Sequence, residues 1–163
     1  MIFVCGIIGI LAVIALPRLL LAKQAAGAAS AIGALRAINS AQLTFALTCG
    51  AGFYAPNLTT LGTPPPGGRE AFIGPTLGIA DTVVRAGYTI QLSATPFGGA
   101  PASCNGLAAG LAGQAFKGGA DATEPTNQRF FATNANSLIW EDTASLFAGM
   151  PEVGDPASGH TIR

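Results

Sequence analysis

Charge is scarce in this sequence: only 10% of its 163 residues are charged, the formal net charge is zero, and no Asp or Glu precedes Glu70. Electrostatic capture of nucleic acid needs a basic patch or stripe, so no nucleic acid is expected as a partner. Histidine is nearly absent. The single His160 stands three residues from the end, in a Gly- and Pro-rich tail, where it reads as a solvated residue. No histidine pair, HExxH zinc motif or histidine-based triad can therefore be assembled. Phosphate-binding and dinucleotide-binding glycine loops are missing, as is zinc-type cysteine spacing. Glu141 and Asp142 are adjacent, and adjacent strand residues point to opposite faces, so they read as surface charges rather than an acid pair. Asp121 and Glu124 do not have the spacing of a calcium loop. No catalytic, cofactor-binding or metal-binding residue is expected, and the chain does not read as an enzyme.

What the sequence does contain is apolar surface, with 50% hydrophobic residues and mean hydropathy +0.48. It is concentrated at the start. Met1 to Leu16 (MIFVCGIIGILAVIAL) has no polar side chain except the Cys5 thiol, and after Pro17 and Arg18 the run resumes through Ala22. A spanning helix needs about 20 apolar residues, so the stretch to Ala22 suffices only with Arg18 snorkelling toward an interface. A signal peptide, a plain anchor and a buried core helix all compete for this run. A signal peptide would carry basic residues before it and a small-residue cleavage site after it, whereas here Pro17-Arg18 follows. A plain anchor would give way to a linker. Instead Ala28, Ala31, Ile32, Leu35, Ile38, Gln42 and Phe45 recur at steps of three and four, which continues one amphipathic helix. Gly9 and Pro17 weaken it, Pro17 by removing a donor and crowding the carbonyl of Val13, so a break is expected between them.

Beyond Cys49-Gly50 the composition changes to Gly, Pro, Thr and Asn. Gly50 and Gly52 should stop the helix, and the next forty residues read mostly as loop, with Thr63 to Gly68 an exposed proline-rich segment. Tyr88 to Ser93 alternates apolar and polar as a strand does, and Gln114 to Gly118 does so less clearly. Arg129 to Thr133 and Leu138 to Asp142 read as a hairpin around Asn134-Ala135-Asn136-Ser137. Phe131, Ile139 and either Phe130 or Trp140 would then cover the helix. The expected fold class is α+β, with a long N-terminal helix, broken near Gly9 to Pro17, packed on a small antiparallel sheet. Three segments follow: 1–25 an apolar membrane or filament-core helix, 26–50 an amphipathic helix on the head, and 51–163 a loop-rich β head. Asn57-Leu58-Thr59 has the form of a glycosylation acceptor, a tripeptide common by chance.

GIIGILAVIALPRLL followed by AKQAAGAASAIGALRAINSAQLTF resembles the N-terminal helix of bacterial type IV pilins, strongly over residues 6–48. YAPNLTTLG, GYTIQL, SCNGLAAGLAG and RFFATNANSLIWEDT are more loosely similar to the heads of the same group. The resemblance implies a major pilin with an N-methylation-type helix and the pilin fold: a structural subunit whose helices bundle into an extracellular, surface-attached filament with roles such as cell adhesion. Its partners would be copies of itself, the inner membrane before assembly, and the pilus assembly machinery. Filament-core packing would fall to Ile7, Ile8, Gly9, Ile10, Leu11, Ile14, Leu16 and Pro17, and helix-head packing to Ile32, Leu35, Ile38 and Phe45. In such an extracytoplasmic chain the head's two cysteines, Cys49 and Cys104, are expected to form a disulfide, while Cys5 reads as a small buried hydrophobe. Aligned on Pro17, Met1 falls inside the family's helix, so the family's cleavage site and its glutamate are not represented here. This points to a start within that helix or to an unusual subunit. Two other expectations stay open: a pseudopilin of a type II secretion system, and a membrane-anchored adhesion or binding module that does not polymerise.

Overall fold

The structure is a computed structural model that describes residues 18–162. Its elements are α1 (Ile2–Thr48), α2 (Leu58–Gly62), β1 (Thr82–Arg85), β2 (Tyr88–Ser93), β3 (Lys117–Ala122), β4 (Phe130–Asn134), β5 (Ile139–Asp142) and β6 (His160–Ile162). The expected break between Gly9 and Pro17, the filament-core residues Ile7 to Pro17, and Cys5 lie outside the described residues.

The fold is α+β. The six strands lie in chain order, β1-β2-β3-β4-β5-β6, each antiparallel to the next. α1 crosses one face of this meander. Side chains alternate across a pleated sheet, and Tyr88, Ile90, Ala120, Phe131 and Ile139 all join Ala28, Ala31, Leu35, Ile38 and Phe45 in one core. The partners on β3 are small where the helix comes close. A Cβ on Gly118 would stand 3.7 Å from Leu35 Cδ2 and 3.3 Å from the Thr133 methyl, so a larger residue there would push α1 off the sheet.

The other face of the sheet is covered by the chain between β5 and β6. Leu146 and Met150 pack with Ala132, and Trp140 packs against them, while Phe147 lies where a Cβ on Gly119 would be, 2.7 Å away. Trp140 therefore faces away from α1, because it alternates with the core residue Ile139. Phe130 likewise alternates with Phe131. The cover over the helix is Phe131 and Ile139 without either Phe130 or Trp140.

Four elements differ from the sequence reading. α2 forms within the stretch read as loop, capped by Asn57, whose Oδ1 accepts from Thr60 N at 3.0 Å. β1 joins β2 through Ala86-Gly87, both at positive φ (50° and 82°), the two-residue turn whose twist suits a hairpin. β3 begins at Lys117 rather than Gln114 and runs on to Ala122. His160 belongs to β6, opposite Glu141, and stays exposed at the sheet edge. The β4–β5 hairpin forms as expected, although the left-handed residue in its loop is Ser137 (φ 61°) rather than an Asn.

Candidate assembly surface

From Arg18 to Thr48, α1 presents two sides. One is spent on the head: Ala28, Ala31, Leu35, Ile38, Gln42 and Phe45 are each at most 1% exposed, and Ile32 packs partly buried beside them. Two polar residues tie this side down. Gln42 donates from Nε2 to the Ala55 carbonyl and accepts from Ala55 N, both at 2.8 Å and both buried, so the chain after the helix folds back along it. Asn39 donates from Nδ2 to Thr133 Oγ1 at 2.9 Å, joining helix to β4.

The helix ends where Cys49 N and Gly50 N both reach the Phe45 carbonyl, at 2.9 and 2.7 Å, and Gly52 N reaches the Ala46 carbonyl at 2.8 Å. Ala51 (φ 50°) and Gly52 (φ 93°) both take positive φ just beyond this stop, the second at no steric cost because it is glycine. Cys49 and Cys104 are disulfide-bonded with Cα atoms 4.9 Å apart, and Cys104 N donates to the Cys49 carbonyl at 3.1 Å. The middle of the head is thus fastened to the end of the helix.

The opposite side of α1 is open. It carries Ala22, Ala25, Ala26, Ala29, Gly33, Ala37, Leu43 and Leu47, interrupted by Lys23, Arg36, Ser40 and Thr44. Leu43 is 55% and Leu47 75% exposed, and Leu19, Leu20 and Leu21 are exposed where the helix projects beyond the head. Scattered surface leucines need no explanation, but a side this rich in small and apolar residues, broken only by a few polar ones, can serve as an interaction surface. Its small residues would let another backbone approach closely.

Comparison with known proteins finds no matching family model, no matching curated protein and no matching solved structure. The architecture, one long helix on an antiparallel sheet with a disulfide, is compatible with a pilin-like fold. Among the described residues no helix is long and apolar enough to cross a membrane; most of the apolar run, residues 1–17, lies outside them.

Most of the remaining candidate groups have structural partners. Arg129 forks onto Glu141, Nε to Oε1 at 2.5 Å and Nη2 to Oε2 at 3.1 Å, with its guanidinium 5.3 Å from the Phe131 ring centre. The hydrogen bond from Arg129 holds the Glu141 carboxyl below its ordinary range, against partial burial, with help from the charges of Arg129 and His160. Asp142 turns to the other side, as expected of strand neighbours, and accepts from Ser158 Oγ at 2.6 Å, which lowers its pKa. Asp121 is raised by burial, opposed by a hydrogen bond from Ser145 Oγ at 2.8 Å, and its Oδ1 is buried without a partner. Among the described residues no group of His, Cys, Asp and Glu could hold a metal. Asn57 of the acceptor-like tripeptide is engaged as the α2 cap, and its Nδ2 donates to Asp81 at 3.3 Å. Unforeseen from the sequence is a half-buried aromatic stack of Phe53 on Phe97, ring centres 5.7 Å apart, beside the bridge between Pro96 and Gly113.

Proposed function

We propose that the chain is the structural subunit of an extracellular filament of the type IV pilus kind, with α1 in the filament core and the β head outside. The observation that carries this reading is the open apolar side of α1. The head covers only one side of the helix, and the uncovered side is continuous in sequence with the apolar run of residues 1–22. An isolated subunit in water would leave both exposed, at about 25 cal/mol per Å² of apolar area. Copies of the same helix offer matching surface, and one heterologous contact repeated along a screw axis that does not close yields an open filament. Before assembly the apolar run would hold the subunit in the inner membrane, from which the pilus assembly machinery would extract it.

Electron microscopy of cells making the protein, and of material sheared from them, tests this directly. Long surface filaments labelled by an antibody to the head are expected. Substituting Asp for Ile7, Ile10 or Leu11 should abolish them while the subunit still accumulates in the membrane. Normal filaments from such variants would remove these residues from the core.

A further inference from the structure

A cavity opens where α1 leaves the head. Gly27 is pressed against the β1–β2 turn, since a Cβ there would stand 2.6 Å from the Ala86 carbonyl oxygen. Beyond that contact helix and head part, leaving a space of about 170 Å³. This is ample room for several waters or for a small chemical group. Leu20, Lys23 and Gln24 line it from α1, and Glu124, Thr126 and Asn127 line it from the loop between β3 and β4. Asn127 is only 7% exposed. Its Nδ2 donates to Tyr88 Oη at 3.0 Å, and its carbonyl oxygen has no partner among the described residues.

Lys23 and Glu124 share this cavity without pairing with each other; the ion pair among the described residues is Arg129 with Glu141. That combination selects against simple ligands. Both side chains are exposed and reach the cavity from its solvent side; a lone anion is repelled by Glu124, a lone cation by Lys23, and an apolar group uses neither charge. A group carrying both charges a few atoms apart satisfies both walls. Its continuation should be apolar, because Leu20 lines the cavity and Leu19 and Leu21 are exposed beside it on the helix.

We propose that this cavity holds the headgroup of a phospholipid bearing a phosphate and a primary ammonium, the phosphate at Lys23 and the ammonium at Glu124 and the Asn127 carbonyl. The proposal rests on the reading that residues 1–22 sit in a bilayer before assembly, which places Lys23 and the cavity at headgroup depth. A primary ammonium brings N–H donors for both oxygens. A trimethylammonium brings none, so phosphatidylcholine matches the charges and not the hydrogen bonds.

The full chain is placed in nanodiscs of phosphatidylethanolamine with phosphatidylglycerol, or of phosphatidylcholine with phosphatidylglycerol. Lipid retained after release is counted by native mass spectrometry. A single phosphatidylethanolamine per chain is expected, and no phosphatidylcholine. Lys23→Gln and Glu124→Gln should each lower retention about tenfold, whereas Arg18→Gln, outside the cavity, should not change it. An intact Cys49–Cys104 bond and an unchanged near-ultraviolet circular dichroism spectrum in each variant tie the loss to the cavity. Equal retention of phosphatidylcholine, preference for phosphatidylglycerol, or indifference to both cavity substitutions overturns the headgroup site while leaving the membrane reading intact. A chain that does not enter the nanodiscs overturns both.

Discussion

Gln42 shows how one side chain can decide where a chain goes. It lies on the buried side of α1, fully enclosed, and its amide makes a two-bond pairing with the backbone of Ala55, itself 0% exposed. Removing it strands a buried N–H and a buried C=O at once, each of which costs about 1–3 kcal/mol when unpaired. Gln42→Ala should therefore destabilise the head by about 2–4 kcal/mol in chemical denaturation, far more than the loss of its own apolar contacts. At Glu141 the effect depends on pH. Arg129 lowers the folded pKa from the ordinary 4.5, so the stabilisation is fully present above that ordinary value and is lost as pH falls through the lower, folded one. Since Arg129 is largely exposed, the pair is worth about 0.5–1 kcal/mol. Glu141→Gln should show that deficit at pH 7 and converge with the parent protein in strong acid; a deficit constant with pH would place its origin outside the ion pair. Asp121 has the opposite sign. Its folded pKa is raised by burial, so the folded state takes up that proton first, and acid relieves a cost borne at neutral pH.

At the scale of elements, the disulfide joins pieces with weak local preferences. It closes a separation of 55 residues, worth about 4 kcal/mol on the chain-entropy view. Replacing both Cys49 and Cys104 by Ser should lower the denaturation free energy by about that amount with α1 still helical; an unchanged midpoint would show that the Cys104 loop is held by its other contacts. The elements that could be read from sequence are those whose pattern is set by a single face. β2 alternates Tyr88, Ile90, Leu92 with polar residues, and its bounds match the reading residue for residue. The side of α1 from Ala28 to Phe45 follows the helical period because one sheet covers it. β3 was hard to see because both its faces are crowded, by Leu35 from the helix and by Phe147 from the C-terminal cover, so that only Gly and Ala fit at its centre. β1 was hidden because its turn is Ala86-Gly87 where Asn-Gly would have flagged a hairpin. β6 was hidden because three residues are too few to show a period. The open side of α1 was legible only as apolar sequence, since spacing alone does not say which apolar side a head will leave uncovered.

For the whole molecule, the question is what happens to a helix with two apolar sides and a head for only one. Leu43 and Leu47 are largely exposed in the isolated subunit, and surface substitutions away from packing features usually change stability by no more than about 0.5 kcal/mol. In a filament whose core is α1, the same two positions would be enclosed by neighbouring helices. An unpaired carboxylate buried there costs several kcal/mol after relaxation, and it recurs at every subunit. Leu43→Glu with Leu47→Glu should therefore leave the melting curve of the subunit almost unchanged and abolish filaments in electron micrographs. Leu35→Ala should do the reverse in its first effect, because Leu35 is fully buried between α1 and the sheet and its truncation costs about 2–5 kcal/mol of head stability. The contrast separates folding from assembly on one helix. If the double glutamate variant polymerised normally, the open side would face solvent in the filament as well, and the packing between subunits would have to be carried by the residues before Arg18.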